Sequence, residues 1–386
     1  CLGRPNHRLR LLDRGLRVTT VSLPHLHTVT LALFVKVGAR FERAGDSGLS
    51  HFVEHMLFRG TERYPTSLAL NTAVERLGGT LHAETGRDYT LFQIGLTPDR
   101  VAEGIALLGD LIGRPRFSDL ELERALVLEE INEDYDESDV EINADDIARG
   151  LLFGDHPLGQ RIIGPRQNVE RFTLDDVHRH HQSQYGARNA ILCVAGPIDH
   201  ARVVAAADAQ LGSLPTGSAA IPEPAPPPRD SRIYKYVPDR GSQTTLALLL
   251  RGVPELHPRY MSFVGLLRCL DDGMSTQLHY QLCDQKGLAY SIGAGIEPLS
   301  DVALLEVTGA TANAKVPQLL AELLQLLAGL RDRRVPPDEL DKARTRYSYE
   351  LVASLDDSAA MVGWFGGTAL YYTPPTPTER LRQIAH

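Results

Sequence analysis

In the run GLSHFVEHMLFRGT, His51 and His55 stand four residues apart with Glu54 between them. The run is free of proline and is bracketed by Ser47 and Gly48 on one side and Gly60 on the other, which predicts a helix with polar and glycine ends. On a helix, side chains four apart leave one face about a turn apart, so two imidazoles can share a tetrahedral ion. Glu54, three from His51 and adjacent to His55, falls on the same side. A carboxylate there is beside the metal without being a ligand. Zinc brings the pKa of water to about 7, and such a carboxylate can take the proton as the water attacks a carbonyl. H-x-x-E-H is the inverted form of the zinc-peptidase motif.

Two imidazoles leave a third ligand to be found. The best source is LELERALVLEEINEDYDE, where Glu123 and Glu130 are seven apart and share a helix face with Leu126 and Val127 between them. Carboxylates on that face are expected to point towards the core. Burying a charge is costly unless something pairs with it, and a dication is such a partner. Glu129, rotated about 100° away, is the weaker choice.

These residues need elements to hold them. HTVTLALFVKVGARFE alternates and is rich in β-branched residues, as strands are, and a long helical stretch begins near Gly48. SQTTLALLLRGVPELHP repeats the pattern, followed by the helical RYMSFVGLLRCLDDGMSTQLHYQLCDQKG. Thr-Leu-Ala-Leu occurs in both, at Thr30 to Leu33 and at Thr245 to Leu248. The stretch between, GSLPTGSAAIPEPAPPPRD, is proline-rich, favours an extended form and reads as a linker. The expected organisation is therefore two α/β domains of similar plan, at 1–212 and 231–386, joined by a linker at 213–230. The first closes with the helix FTLDDVHRHHQSQYG and the strand AILCVAG, whereas the second stops at PTPTERLRQIAH. The second domain is expected to lack its last strand.

With 386 residues and 43% hydrophobic content, the chain can bury two cores. A formal charge of −9, with basic residues scattered, gives no footprint for nucleic acid. No apolar run approaches the roughly 18 residues needed to span a bilayer, and CLGRPNHRLR has no apolar signal-peptide core. The expectation is a soluble chain with no membrane partner, its compartment open between cytoplasm and periplasm. Cys1, Cys193, Cys269 and Cys283 are too few and too scattered for a disulfide framework and read as thiols.

Taken together, the sequence resembles the insulinase/pitrilysin family, which includes the mitochondrial processing peptidase and shares HxxEH followed by a Glu some 75 residues on. Glu130 lies 130 − 55 = 75 positions after His55. The likeness extends through GLSHFVEHMLFRGTERYP, LGGTLHAETGRDYTLF, ERALVLEEINE, HPLGQRIIG and GLAYSIGAG. It implies a zinc metalloendopeptidase with one zinc per chain and two homologous α/β domains of the α+β type. Each domain would be a mixed, largely antiparallel sheet with helices packed on it, forming half of a clamshell that closes on an unfolded peptide. By position, His51, His55 and Glu130 match the ligands, Glu54 matches the general base, and Glu123 matches a carboxylate that orients a ligand histidine. His82, Ala83, Glu84 and Thr85 match the edge strand that holds extended substrate by its backbone. The family's second domain carries an Arg and a Tyr, seven apart, that bind substrate. Tyr290 matches the Tyr, but Cys283 stands at the Arg position. The resemblance therefore implies a heterodimer with a related subunit that lacks HxxEH. A homodimer, or a structural subunit without activity, is the alternative.

Overall fold

The computed structural model describes residues 6–228, 232–238 and 240–385. In chain order the elements are β1 (Asn6–Leu11), β2 (Arg17–Ser22), β3 (Val29–Val35), α1 (Leu49–Leu57), α2 (Ser67–Arg76), β4 (Leu81–Thr85), β5 (Thr90–Leu96), α3 (Val101–Gly113), α4 (Leu120–Asn132), α5 (Ala144–Phe153), α6 (Arg166–Val169), α7 (Leu174–Gln184), β6 (Ala190–Gly196) and α8 (His200–Leu211). There follow β7 (Gln243–Gly252), α9 (Tyr260–Leu270), α10 (Gln277–His279), β8 (Ser291–Pro298), β9 (Ala303–Ala312), α11 (Val316–Asp332), α12 (Pro337–Ala353), α13 (Ser358–Phe365) and α14 (Pro377–Ala385).

The chain divides into two compact units, and the division is not linear. The first comprises Cys1–Glu133, Gln160–Glu223 and Val352–Thr376; the second comprises Asp134–Gly159, Pro224–Leu351 and Pro377–His386. This differs from a single cut at 213–230. Residues 213–223 stay with the first unit, where Pro215 and Thr216 accept from the Ala187 and Arg188 amides at 2.8 and 3.0 Å. Asn189 accepts from the Ala220 amide at 2.8 Å. Proline makes this segment extended without making it free. Residues 352–376 return because α13 supplies the apolar cover for one sheet face.

In the first unit a mixed, largely antiparallel sheet runs β1-β2-β6-β3-β5-β4, with β2 and β6 its parallel pair. Every residue of β3 is buried, because both faces of the strand are covered and the in–out alternation of a half-exposed strand is lost. Ala32 and Phe34 face Met361, Val362 and Phe365 of α13. Leu31 faces α3, where Gly104 leaves room that a Cβ would fill at 2.5 Å from the leucine methyl. β4 lies at the edge of the sheet and pairs with β5 from Leu81↔Ile94 to Thr85↔Thr90.

In the second unit β7, β9 and β8 form a three-stranded antiparallel sheet. Its core joins Leu305 and Val307 of β9 to Leu270, Leu278, Leu282, Leu319 and Leu323 of the neighbouring helices. Among the described residues β7 pairs only with β9. Arg149 of α5 is buried among the carboxylates of Asp145, Glu297 and Glu306.

Candidate metal centre

Helix α1 carries the HxxEH residues and starts at Gly48, whose φ of 94° is left-handed and whose Cβ, were there one, would lie 2.4 Å from the Ile163 carbonyl. Only glycine fits that start. No side chain within the helix start caps it. The buried Glu42 does so from upstream, accepting from the Gly48 amide at 2.8 Å and the Ser50 amide at 2.5 Å. An acidic group at the positive end of a helix is favourable. Burial nevertheless pushes its pKa up to about 7, against those hydrogen bonds. Ser50 Oγ also meets the buried His180 Nε2 of α7 at 3.2 Å. The helix bearing the histidines is thus anchored by a polar chain closed to solvent.

At the other end of that face, the two Nε2 atoms of His51 and His55 are 3.2 Å apart. Glu130 of α4 brings Oε1 to 3.6 Å from His51 Nε2 and Oε2 to 3.7 Å from His55 Nε2. One donor atom from each of the three residues lies within 4.8 Å of the others. Zinc fits this donor set: donors about 2.0–2.1 Å from an ion at tetrahedral angles lie roughly 3.4 Å from one another. His55 Nδ1 is 2.9 Å from Glu123 Oε1. An Nδ1 proton donated to that carboxylate leaves the Nε2 lone pair pointing into the cluster. Arg59 donates to the other Glu123 oxygen.

The electrostatics follow from burial and these contacts. His51 is pushed down to about 3, first by burial and then by the adjacent His55, so it stays a neutral donor. Its Nδ1 is buried without a hydrogen-bond partner among the described residues. Burial works against a charged His55, yet the Glu123 bond and the surrounding carboxylates hold its pKa above the ordinary value. For Glu123, burial is outweighed by His55 and Arg59, which hold the carboxyl below its usual range. Glu54 is 9% exposed, and burial raises it although Thr85 donates a hydrogen bond to it.

Two family models match the chain, one described as insulinase, peptidase family M16, over residues 17–166 and one as the peptidase M16 inactive domain over residues 171–347. The chain belongs to the insulinase family, M16. An uncharacterized zinc protease of Rickettsia bellii is 28% identical over 350 residues, covering 89% of this chain and 82% of that protein. The mitochondrial-processing peptidase subunit beta of Blastocladiella emersonii is 32% identical over 219 residues, 56% of this chain and 46% of that one. A crystal structure of a peptidase M16 inactive domain from Pseudomonas fluorescens superposes with a TM-score of 0.87 at 21% identity, covering 98% of this chain and 92% of that one. These two α/β units have the M16 fold.

The structure differs from the sequence reading on α4. Glu123 is buried as expected, but the Glu130 side chain is 46% exposed and Leu126 is 49% exposed. Val127 alone carries the apolar contact of that turn. The residue at i+4 from Glu123 turns inward and the one at i+3 outward, so the face is narrower than the seven-residue spacing suggests. Glu129 lies outside the cluster, beside Asn132. Tyr290, in the second unit, is 97% exposed directly before β8, so it serves no packing role there; Cys283 packs at the margin of that unit's apolar core. His82 and Glu84 project from the exposed face of β4, while Ala83 and Thr85 face the other way. Sequence reasoning missed Arg59 and Glu42. Arg59 had a weak signal, four residues after His55; Glu42 had none, because its partners lie across an irregular loop.

No helix among the described residues is long and apolar enough to cross a membrane.

Proposed function

We propose that this chain is a zinc metalloendopeptidase acting on extended, unfolded peptides, with His51, His55 and Glu130 as ligands and Glu54 as general base. The observation that carries the reading is the convergence of three donors at 3.2–3.7 Å with a buried carboxylate on the same helix turn. Zinc held there supplies Lewis acidity, polarising a carbonyl and acidifying water to about 7. Glu123 fixes the His55 tautomer and ring plane, and Arg59 fixes Glu123. Glu54 receives the proton of the attacking water and returns it to the leaving nitrogen. The outer edge of β4 offers amides and carbonyls to a peptide laid alongside, a mode that demands little particular sequence.

The test is metal content and peptide cleavage in parallel. Purified chain should carry about one zinc, lost when His51, His55 or Glu130 becomes Ala. Glu54→Gln should keep the metal and lose at least 10²-fold in activity, of the order that general-base catalysis supplies. Full metal occupancy in Glu130→Ala, or near wild-type turnover in Glu54→Gln, would remove the respective assignment.

The active species on this reading is a heterodimer with a related subunit that has no HxxEH and supplies the Arg missing at Cys283. A thiol cannot make the forked, charged hydrogen bonds of a guanidinium. The name of the Blastocladiella relative, a subunit, is in keeping with this. The isolated chain should then bind zinc yet cleave poorly until its companion is added. Full activity from the pure chain alone would favour a homodimer.

A further inference from the structure

Thr85 stands at the end of the edge strand, where a hydroxyl ordinarily turns to water or to the backbone. Here it turns inward. Thr85 Oγ1 donates to Glu54 Oε2 at 2.7 Å, and the two residues are 7% and 9% exposed. We propose that Thr85 is a positioning residue for the general base, holding the Glu54 carboxylate in the orientation in which its second oxygen accepts a proton. This rests on the assignment of Glu54 made above.

The corner on which Thr85 sits is held from several sides. The Ala39 and Arg40 amides donate to the Gly86 and Arg87 carbonyls at 3.3 and 3.1 Å, and Gly86 donates to Tyr89 at 2.9 Å. Arg40, fully buried, pairs with Asp88 at 3.2 Å. Thr90, the cross-strand partner of Thr85, donates to the Val37 carbonyl at 3.0 Å. A donor fixed in this way needs no rearrangement during the reaction, which is the condition for preorganised catalysis. The terminal torsion of a glutamate is broad and two-fold. With Oε2 engaged by Thr85, that torsion is restricted and Oε1 is the oxygen left for the proton. The same strand then sets both the backbone of a bound peptide and the plane of the base, so their mutual geometry is built into β4.

The experiment compares wild type, Thr85→Val, Thr85→Ser, Glu54→Gln and Glu54→Gln/Thr85→Val in the assembled peptidase, using an unstructured fluorogenic peptide. Valine keeps the shape and removes the donor. Thr85→Val should lower kcat roughly 10- to 100-fold, as a misoriented base does, with KM and zinc content unchanged. Serine should restore kcat to within about three-fold, and in the Glu54→Gln background Thr85→Val should have no further effect, since residues acting through one another are not additive. Independently of turnover, the infrared carboxylate band that disappears in Glu54→Gln should shift in Thr85→Val. Unchanged kcat, a rise in KM alone, failure of serine to rescue, or an unmoved band would overturn the proposal. A wild type that cleaves no peptide would instead remove the parent reading, and the infrared band would still decide whether Thr85 holds Glu54.

Discussion

The words Thr-Leu-Ala-Leu occur on β3 and again on β7, yet the two strands live in different surroundings. β3 pairs with β5 and β6 and is buried along its whole length. β7 pairs with β9 alone among the described residues, and no residue of it is fully buried. Identical local chemistry reaches different burial because burial is set by neighbours, not by the strand's own residues. The helices that follow make the same point about function. In α1 the run is His51-Phe52-Val53-Glu54-His55; in α9 it is Ser262-Phe263-Val264-Gly265-Leu266. The Phe-Val step that packs the helix is kept, while Ser262, Gly265 and Leu266 stand where α1 has His51, Glu54 and His55. A fold tolerates a site without requiring one.

That contrast can be broken most directly by transplantation. Introducing Ser262→His, Gly265→Glu and Leu266→His together into α9 should leave metal content at one zinc per chain, because HxxEH by itself supplies two imidazoles and no third ligand. Two zinc ions per chain by elemental analysis would show that HxxEH alone suffices. A smaller effect separates ligand from support within the first unit. Glu123→Ala should weaken zinc binding about 10- to 100-fold in competition with a chelator while keeping the stoichiometry, the usual cost of removing a carboxylate behind a ligand histidine. Complete loss of metal would promote Glu123 to a ligand.

The smallest expected effect concerns acid. Burial pushes His180 and His181 of α7 down to about 4, below their unfolded value of 6.5, so between these values the unfolded chain binds more protons. Stability is whole above pH 6.5 and falls as pH drops towards 4. By pH 5.5 the loss is about 1 kcal/mol for each histidine. Trp364, the one tryptophan, lies in the first unit, so its fluorescence during urea unfolding reads that unit. His180→Asn should flatten the dependence of the midpoint on pH between 7 and 5.5. An unchanged slope would mean that this imidazole does not titrate on unfolding.

Much of the site was legible because its parts are local. The glycines and serine around HFVEH announced α1, and the four-residue spacing put both imidazoles on one face. The carboxylate face of α4 was harder. Periodicity orders residues around a helix axis but does not say how far a neighbouring helix covers them, and Glu130 proved half-exposed. Non-local contacts left no trace in the sequence. Glu42 reaches the start of α1 across a loop. The sheet face that α13 covers looks, from the first half of the chain alone, like any other apolar surface.

The return of α13 also orders events during synthesis. Val21, Ala32, Phe34, Ile191 and Cys193 are all made long before Met361, Val362 and Phe365, which cover them. A ribosome must therefore deliver most of the second unit while the first still shows a bare apolar face, and contacts of such large sequence separation are slow to close. Nascent chains halted between Gly196 and Ser358 should bind a holdase chaperone through that face and let go once Phe365 has emerged.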